Sequence, residues 1–253
     1  MQMRPLLGCH LPKQKELWGN RVFDWGTVCY TGLRVQGRRK EGMGMRIDRQ
    51  MRIGILGGSF NPIHRAHLEM GRSAAEAFGL ERVLMMPAFL SPFKTDPGFA
   101  YASAEDRAEM VKLAISGDPL FSYCGIELER GGVSFTVDSV RTLQTQFPDA
   151  ALFFIVGMDS LLGVHLWKEA DELLRLCEFI TLARPGVELP TWQELYLPEA
   201  VAKRLLSNVI RGKFLDVSSS EIRSRIENGE PIDSLVPSAV SQYIKAHGLY
   251  RRS

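Results

Sequence analysis

The sequence predicts an α/β fold: a doubly wound, mostly parallel sheet with helices on both faces. Three observations lead there. From Met51 onward, short apolar runs of strand length alternate with segments of helical period. The longest apolar run, Ala150-Ala151-Leu152-Phe153-Phe154-Ile155-Val156, is far too short for a membrane span and suits a strand buried on both faces. Gly57-Gly58 ends the first run just before a helical pattern opens, as a strand-turn-helix unit requires.

The elements follow in order. Arg52-Ile53-Gly54-Ile55-Leu56 reads as the first strand. Ala66, Leu68, Met70, Ala74, Ala77 and Phe78 share helical spacing, so a helix is expected over 65–78, with Gly79 as its stop. Arg82-Val83-Leu84-Met85-Met86 is a second buried strand, closed by Pro87. Residues 88–102 read as a loop, with Pro92, Pro97 and Gly98. Ser103 can cap a helix running to about residue 116, with Asp106 three residues on. Further strands are expected at 122–128, 151–156, 179–183 and 209–214, and helices at 136–146, 170–176, 198–206, 219–228 and 237–247. Such sheets bind ligands at the carboxyl ends of their strands, where the strand order reverses.

Composition narrows the classes. The chain has 253 residues, 45% apolar and 24% charged, which excludes a disordered chain, a collagen and a disulfide-stapled miniprotein. One domain with an appendage fits that length. Residues 1–50 hold ten Lys/Arg against four Asp/Glu, a net of +6. The whole chain carries +2, so residues 51–253 carry −4. An acidic body argues against broad nucleic-acid binding, though not against a local phosphate pocket. No run nears 18 apolar residues, so no membrane span is expected. Cys9, Cys29, Cys124 and Cys177 form no Cys-x-x-Cys pair, and residues 1–50 lack the apolar core of a secretory signal; reduced thiols in the cytoplasm are expected.

Residues 1–50 show neither period and hold seven glycines, so they are expected to form a flexible basic extension ahead of a domain at 51–253. A start at Met45 or Met51 would leave that extension outside the native protein, and a basic arm for a phosphate-rich partner is the other reading.

The densest chemistry is Gly57-Gly58-Ser59-Phe60-Asn61-Pro62-Ile63-His64-Arg65-Ala66-His67. Glycines after a strand let backbone N–H groups approach an anion, and the helix start adds partial positive charge. His64 and His67, three apart, share one face. As metal ligands they would need a third nearby partner that the spacing does not supply; as a plain capping pair they would need no ligand. Beside the glycine turn, phosphate contact is the better reading. This segment resembles the nucleotide-binding signature of the nucleotidyltransferase superfamily with its His-x-Gly-His motif, with Ala66 in place of the usual glycine.

Near the far end, Val217-Ser218-Ser219-Ser220-Glu221-Ile222-Arg223 resembles that superfamily's Ile-Ser-Ser-Thr-x-x-Arg motif. A hydroxyl-rich helix start offers N–H and O–H donors together, and Arg223 adds a planar permanent cation; an ordinary cap with a surface arginine is the alternative. Ser134-Phe135-Thr136, Phe154-Ile155-Val156-Gly157-Met158-Asp159-Ser160, Trp167-Lys168 and Ala183-Arg184-Pro185-Gly186 resemble segments of the bacterial nicotinate-nucleotide adenylyltransferases, so the likeness spans residues 51–250.

The resemblance implies a Rossmann-like fold and transfer of the adenylyl group of ATP to nicotinate mononucleotide, giving nicotinate adenine dinucleotide and pyrophosphate. It implies catalytic roles for His64, His67 and Arg223. ATP would be held by Gly57, Gly58, Ser59, Phe60, Lys94, Ser219 and Ser220, and the mononucleotide by Thr136, Asp159, Trp167 and Arg184. Trp167 could stack on a flat pyridine ring or pack against the core; Asp159 could accept from ribose hydroxyls or cap a helix; Thr136 and adjacent N–H groups could receive a carboxylate. Arg107 is either a phosphate partner or a surface residue. Mg²⁺ is expected, carried by phosphates and water rather than by protein ligands. The competing functions are a sibling transferase with another acceptor, such as nicotinamide mononucleotide or phosphopantetheine, and a nucleotide-binding module without turnover. Oligomeric state is not legible.

Overall fold

Six strands form one all-parallel sheet in a computed structural model that describes residues 50–92, 102–184, 186–212 and 215–251. The expected N-terminal extension therefore lies outside the described residues except for Gln50, and so do Lys94 and most of the 88–102 loop. The strands are β1 (Arg52–Gly58), β2 (Arg82–Pro87), β3 (Phe121–Tyr123), β4 (Ala151–Gly157), β5 (Glu178–Ala183) and β6 (Val209–Arg211). They lie in the order β3-β2-β1-β4-β5-β6. The chain winds outward from β1 to β3, then returns to pair β4 against the other side of β1. The order reverses between β1 and β4, which opens a crevice beyond their carboxyl ends.

Side chains alternate across the sheet, as a pleat demands. Phe153 and Ile155 of β4 join one core with Leu68 and Ala74 of α1 (Arg65–Phe78) and Met110 of α2 (Ala104–Ile115). Ile222 of α8 (Ser219–Glu227) and Ile244 of α9 (Ser238–Ala246) complete that layer. Leu152, Phe154 and Val156 enter the other core with Val140 of α4 (Thr136–Gln146) and Leu161 of α5 (Met158–Leu162). Leu173 of α6 (Ala170–Leu176) and Ala202 of α7 (Glu199–Ser207) close that second layer. Burial of the four central strands, β2, β1, β4 and β5, explains why they read as continuous apolar runs.

Gly71 sits inside α1, where a glycine costs about 1 kcal/mol relative to alanine. A Cβ there would lie 2.5 Å from the Phe121 ring, so the glycine lets α1 pack close to β3. Ser103 caps α2 as expected: its hydroxyl accepts from the Asp106 N–H at 3.0 Å.

Two expectations need correction. The strand read at 122–128 is only β3; the chain then turns at Gly125 into a short helix, α3 (Ile126–Arg130). The run was too short and mixed for its period to decide, and Glu127 is drawn inward by partners described below. The strand read at 209–214 ends at Arg211 among the described residues. Helix α5, directly after β4, was not foreseen.

Candidate active site

β1 delivers Gly57 and Gly58 to the crevice, and the chain turns through Ser59–Ile63 before α1 begins. Phe60 takes a left-handed backbone (φ 46°) with its ring buried. His64 is the extended residue that precedes α1 (φ −143°, ψ 172°). Its backbone N–H donates to Nδ1 of His67 at 3.2 Å. That bond fixes the neutral His67 tautomer, because an accepting Nδ1 leaves the proton on Nε2. The two imidazoles stack with centroids 3.7 Å apart, and the Phe60 ring meets His67 edge-on at 4.9 Å.

His64 is only 5% exposed, and its Nδ1 is buried with no hydrogen-bond partner among the described residues. Burial, helped by the positive charge of Arg184, lowers its pKa to about 4, so the ring is neutral at pH 7. The sign for stability follows. The unfolded chain binds the proton near pH 6.5 and the folded chain only near pH 4, so the unfolded state holds more protons between those values. Stability should fall by about 3 kcal/mol as pH drops through that window. Urea melts at pH 7 and pH 4.5 should show a loss that shrinks in His64→Asn; an equal loss in both proteins would refute the assignment.

The second motif meets the first. Ser218 caps α8, its hydroxyl accepting from the Glu221 N–H at 3.1 Å. The Ser219 hydroxyl donates to the Pro62 carbonyl at 2.9 Å, and Arg223 Nη1 donates to the Asn61 carbonyl at 2.8 Å. Arg223 Nη2 reaches Ser220 Oγ at 3.2 Å. These bonds join segments more than 150 residues apart in the chain. Ser219 and Arg223 thus fasten the histidine turn as well as facing the crevice.

Other residues brace this turn, and sequence reasoning gave none of them that task. Asn61 is 2% exposed; its Oδ1 accepts from the Ala102 N–H at 3.1 Å and from the Tyr250 hydroxyl at 2.8 Å. Arg107 is neither of the things expected of it. It is buried, and its guanidinium donates to the carbonyls of Ser59 (2.8 Å), Ala88 (2.5 Å) and Phe89 (2.9 Å). It staples the glycine turn to the end of β2.

On the far side of the crevice, α4 opens at Phe135-Thr136 with no side chain capping its first turn. Phe135 and Thr136, where α4 begins and its first backbone N–H groups lack intrahelical partners, line the cavity. Asp159 lies in the first turn of α5 and is exposed; the helix cap is Gly157. Trp167 does two things at once: it meets Phe154 edge-on at 5.8 Å and also lines the cavity. Arg184, at the end of β5, pairs with Asp216 at 2.9 Å, both exposed.

One cavity of about 1,320 Å³ takes in all of this. It is lined by the glycine turn with both histidines, by Ser219, Ser220 and Arg223, and by Thr136, Asp159, Trp167 and Arg184. Lys94 lies outside the described residues. The cavity wall also includes Ala66, the departure from the usual glycine, and Glu127, which no motif singled out. A drug-sized ligand needs about 300–1,000 Å³, so there is room for two substrates side by side. Among the described residues, no three His, Cys, Asp or Glu side chains converge as a metal site, and no helix is long and apolar enough to cross a membrane.

Comparison with known proteins fits this geometry. The cytidylyltransferase-like family model matches residues 55–225. A probable nicotinate-nucleotide adenylyltransferase of Moorella thermoacetica is 38% identical over 206 residues, covering 81% of this chain and 94% of its own. The protein of that name from Herpetosiphon aurantiacus is 43% identical over 201 residues, covering 79% and 98%. Among solved structures, Plasmodium falciparum nicotinic acid mononucleotide adenylyltransferase complexed with NaAD superposes with a TM-score of 0.62 at 19% identity, covering 79% of this chain and 97% of that one. At that identity the likeness is one of fold.

Proposed function

The chain belongs to the nicotinate-nucleotide adenylyltransferases of the cytidylyltransferase-like family, and from that premise we infer how it joins ATP to nicotinate mononucleotide, releasing pyrophosphate and forming nicotinate adenine dinucleotide for NAD biosynthesis. The observation that carries this reading is the single cavity shared by the histidine turn, the α8 start and the α4 start.

The nucleophile is a phosphate oxygen of the mononucleotide, already anionic, so no general base is needed. It attacks the α-phosphorus of ATP; the new O–P bond forms as the bond to the β-phosphate oxygen breaks and pyrophosphate leaves. The barrier is charge: two anions must meet, and charge grows on the α-phosphate and leaving group. Catalysis is therefore positioning and electrostatics. His67 offers its Nε2–H to a phosphate oxygen. His64, neutral when the site is empty, gains basicity as anionic phosphates replace water around it. Arg223 supplies a permanent cation, and Ser219, Ser220 and the N–H groups of α8 supply donors. Gly58 carries no side chain where the triphosphate would lie, and a Cβ there would meet no protein atom nearer than 3.7 Å. The protein's own packing therefore does not require glycine at 58; a ligand backing onto it would.

The leading N–H groups of α4 suit the nicotinate carboxylate better than a carboxamide, which brings no charge to the helix end. Trp167 presents an aromatic surface to the pyridine ring while its other edge stays packed on Phe154. Bound Mg²⁺ would shield the charge of the triphosphate, whose own oxygens suit it as ligands together with water. The buried free thiols of Cys124 and Cys177 suit a reducing cytoplasm.

An acceptor panel with labelled ATP tests the reading. Nicotinate mononucleotide should exceed the amide mononucleotide by about tenfold or more in kcat/KM, since a carboxylate gains a charge-assisted hydrogen bond that the amide lacks. Equal use of both, or exclusive use of phosphopantetheine, would reject the acceptor assignment.

A further inference from the structure

Glu127 is 4% exposed, yet it lines the substrate cavity from α3 and makes no contribution to the chemistry above. A buried carboxylate is costly, and apolar packing would serve stability better. Its partners show what it does instead. Ser139, fully buried one turn inside α4, donates its hydroxyl to Glu127 Oε1 at 2.5 Å. Arg130 Nη2 donates to the same Ser139 oxygen at 3.0 Å and stands 4.0 Å from the carboxylate. Ser134 lies just before α4, and its hydroxyl accepts from the Phe89 N–H at 3.0 Å. That leaves the Ser134 proton free to turn toward Glu127, whose carboxylate the Ser134 hydroxyl favours against the cost of burial. One carboxylate therefore spans the bend at which the chain enters α4, with one serine on either side of Thr136. The Ser134 N–H also donates to the Leu90 carbonyl at 2.8 Å, while Phe135, the residue that begins α4, offers no side-chain cap. Burial also holds the carboxyl above the usual carboxylate range, the expected mark of a group kept inside for its geometry.

We propose that Glu127 is a positioning residue for the acceptor: by clasping Ser134 and Ser139 it fixes the α4 entrance, and hence the N–H groups that receive the mononucleotide's carboxylate. This rests on the reading of the α4 entrance as the acceptor's seat. The effect should fall mainly on the acceptor, because the ATP-facing turn has its own braces in Arg107, Asn61 and Arg223.

The test is steady-state kinetics of the full chain with both substrates varied. Glu127→Ala should raise KM for nicotinate mononucleotide about tenfold and leave KM for ATP within about twofold. Glu127→Gln keeps an acceptor oxygen for the hydroxyls and should stay within about threefold of wild type. Ser139→Ala, a helix-compatible change that removes one arm of the clasp, should move KM for the mononucleotide alone, and it decides the matter if Glu127→Ala fails to fold. Changes in both KM values together, no change in either, or a Gln variant as impaired as Ala would overturn the proposal. Wild-type enzyme that transfers to nicotinate mononucleotide while the variants leave its KM unmoved defeats only the positioning role. Wild-type enzyme that does not use that acceptor defeats the reading beneath it.

Discussion

Replacing His67 by alanine should lower kcat by about 10²–10³-fold, the usual loss when a preorganised donor to a developing anion is removed. The ring has two jobs, and a second variant separates them. Nδ1 accepts from the His64 N–H at 3.2 Å, a structural bond worth about 1 kcal/mol. Nε2–H is the donor that the proposed mechanism gives to phosphate. Asparagine places its Oδ1 close to where Nδ1 lies but has nothing at the Nε2 position. His67→Asn should therefore keep the melting temperature of wild type and lose as much kcat as His67→Ala. Near-wild-type turnover in either variant, with ATP saturating, would remove His67 from the mechanism.

Arg107→Met should cost about 3 kcal/mol of unfolding free energy in urea, although it removes no contact with substrate. Its guanidinium serves three carbonyls at once, and methionine fills the volume but leaves those oxygens buried and unserved. Arg107→Lys should recover less than half of that loss, since a single ammonium cannot reproduce the planar fork. Because Ser59 and Ala88 are held from the same group, the glycine turn should loosen and kcat should fall with stability. A loss below about 1 kcal/mol would mean that the staple is not needed.

Arg107 also marks where the sequence stops being readable. The histidine turn and the α8 start are local patterns: glycines, histidines and serines stand at fixed offsets along a few residues, so their chemistry is visible in the chain. Their meeting through Ser219–Pro62 and Arg223–Asn61 was foreseeable only from resemblance, because nothing local records a partner more than 150 residues away. Arg107 and Glu127 were illegible for a related reason. Charged residues on helices look like solvent-facing ones until tertiary structure supplies the carbonyls or hydroxyls that justify burying them. Glu127 also explains the misread strand. Residues 122–128 alternate loosely, and only the buried Ser134 and Ser139 hydroxyls reveal why the second half curls into α3. For Trp167 the sequence allows either core packing or a ligand contact, and the residue meets the core while lining the cavity. The sheet itself was easier, since strands buried on both faces write their apolar runs without interruption.

Adenylyl transfer requires that the one cavity hold ATP and a pyridine mononucleotide together. An initial-rate assay of the purified chain with ATP, Mg²⁺ and nicotinate mononucleotide, following pyrophosphate and dinucleotide in the same sample, tests this. The two products should rise together in equal amounts, and neither should form when the mononucleotide is left out. ATP binding with no pyrophosphate release, or pyrophosphate release with no dinucleotide, would contradict it.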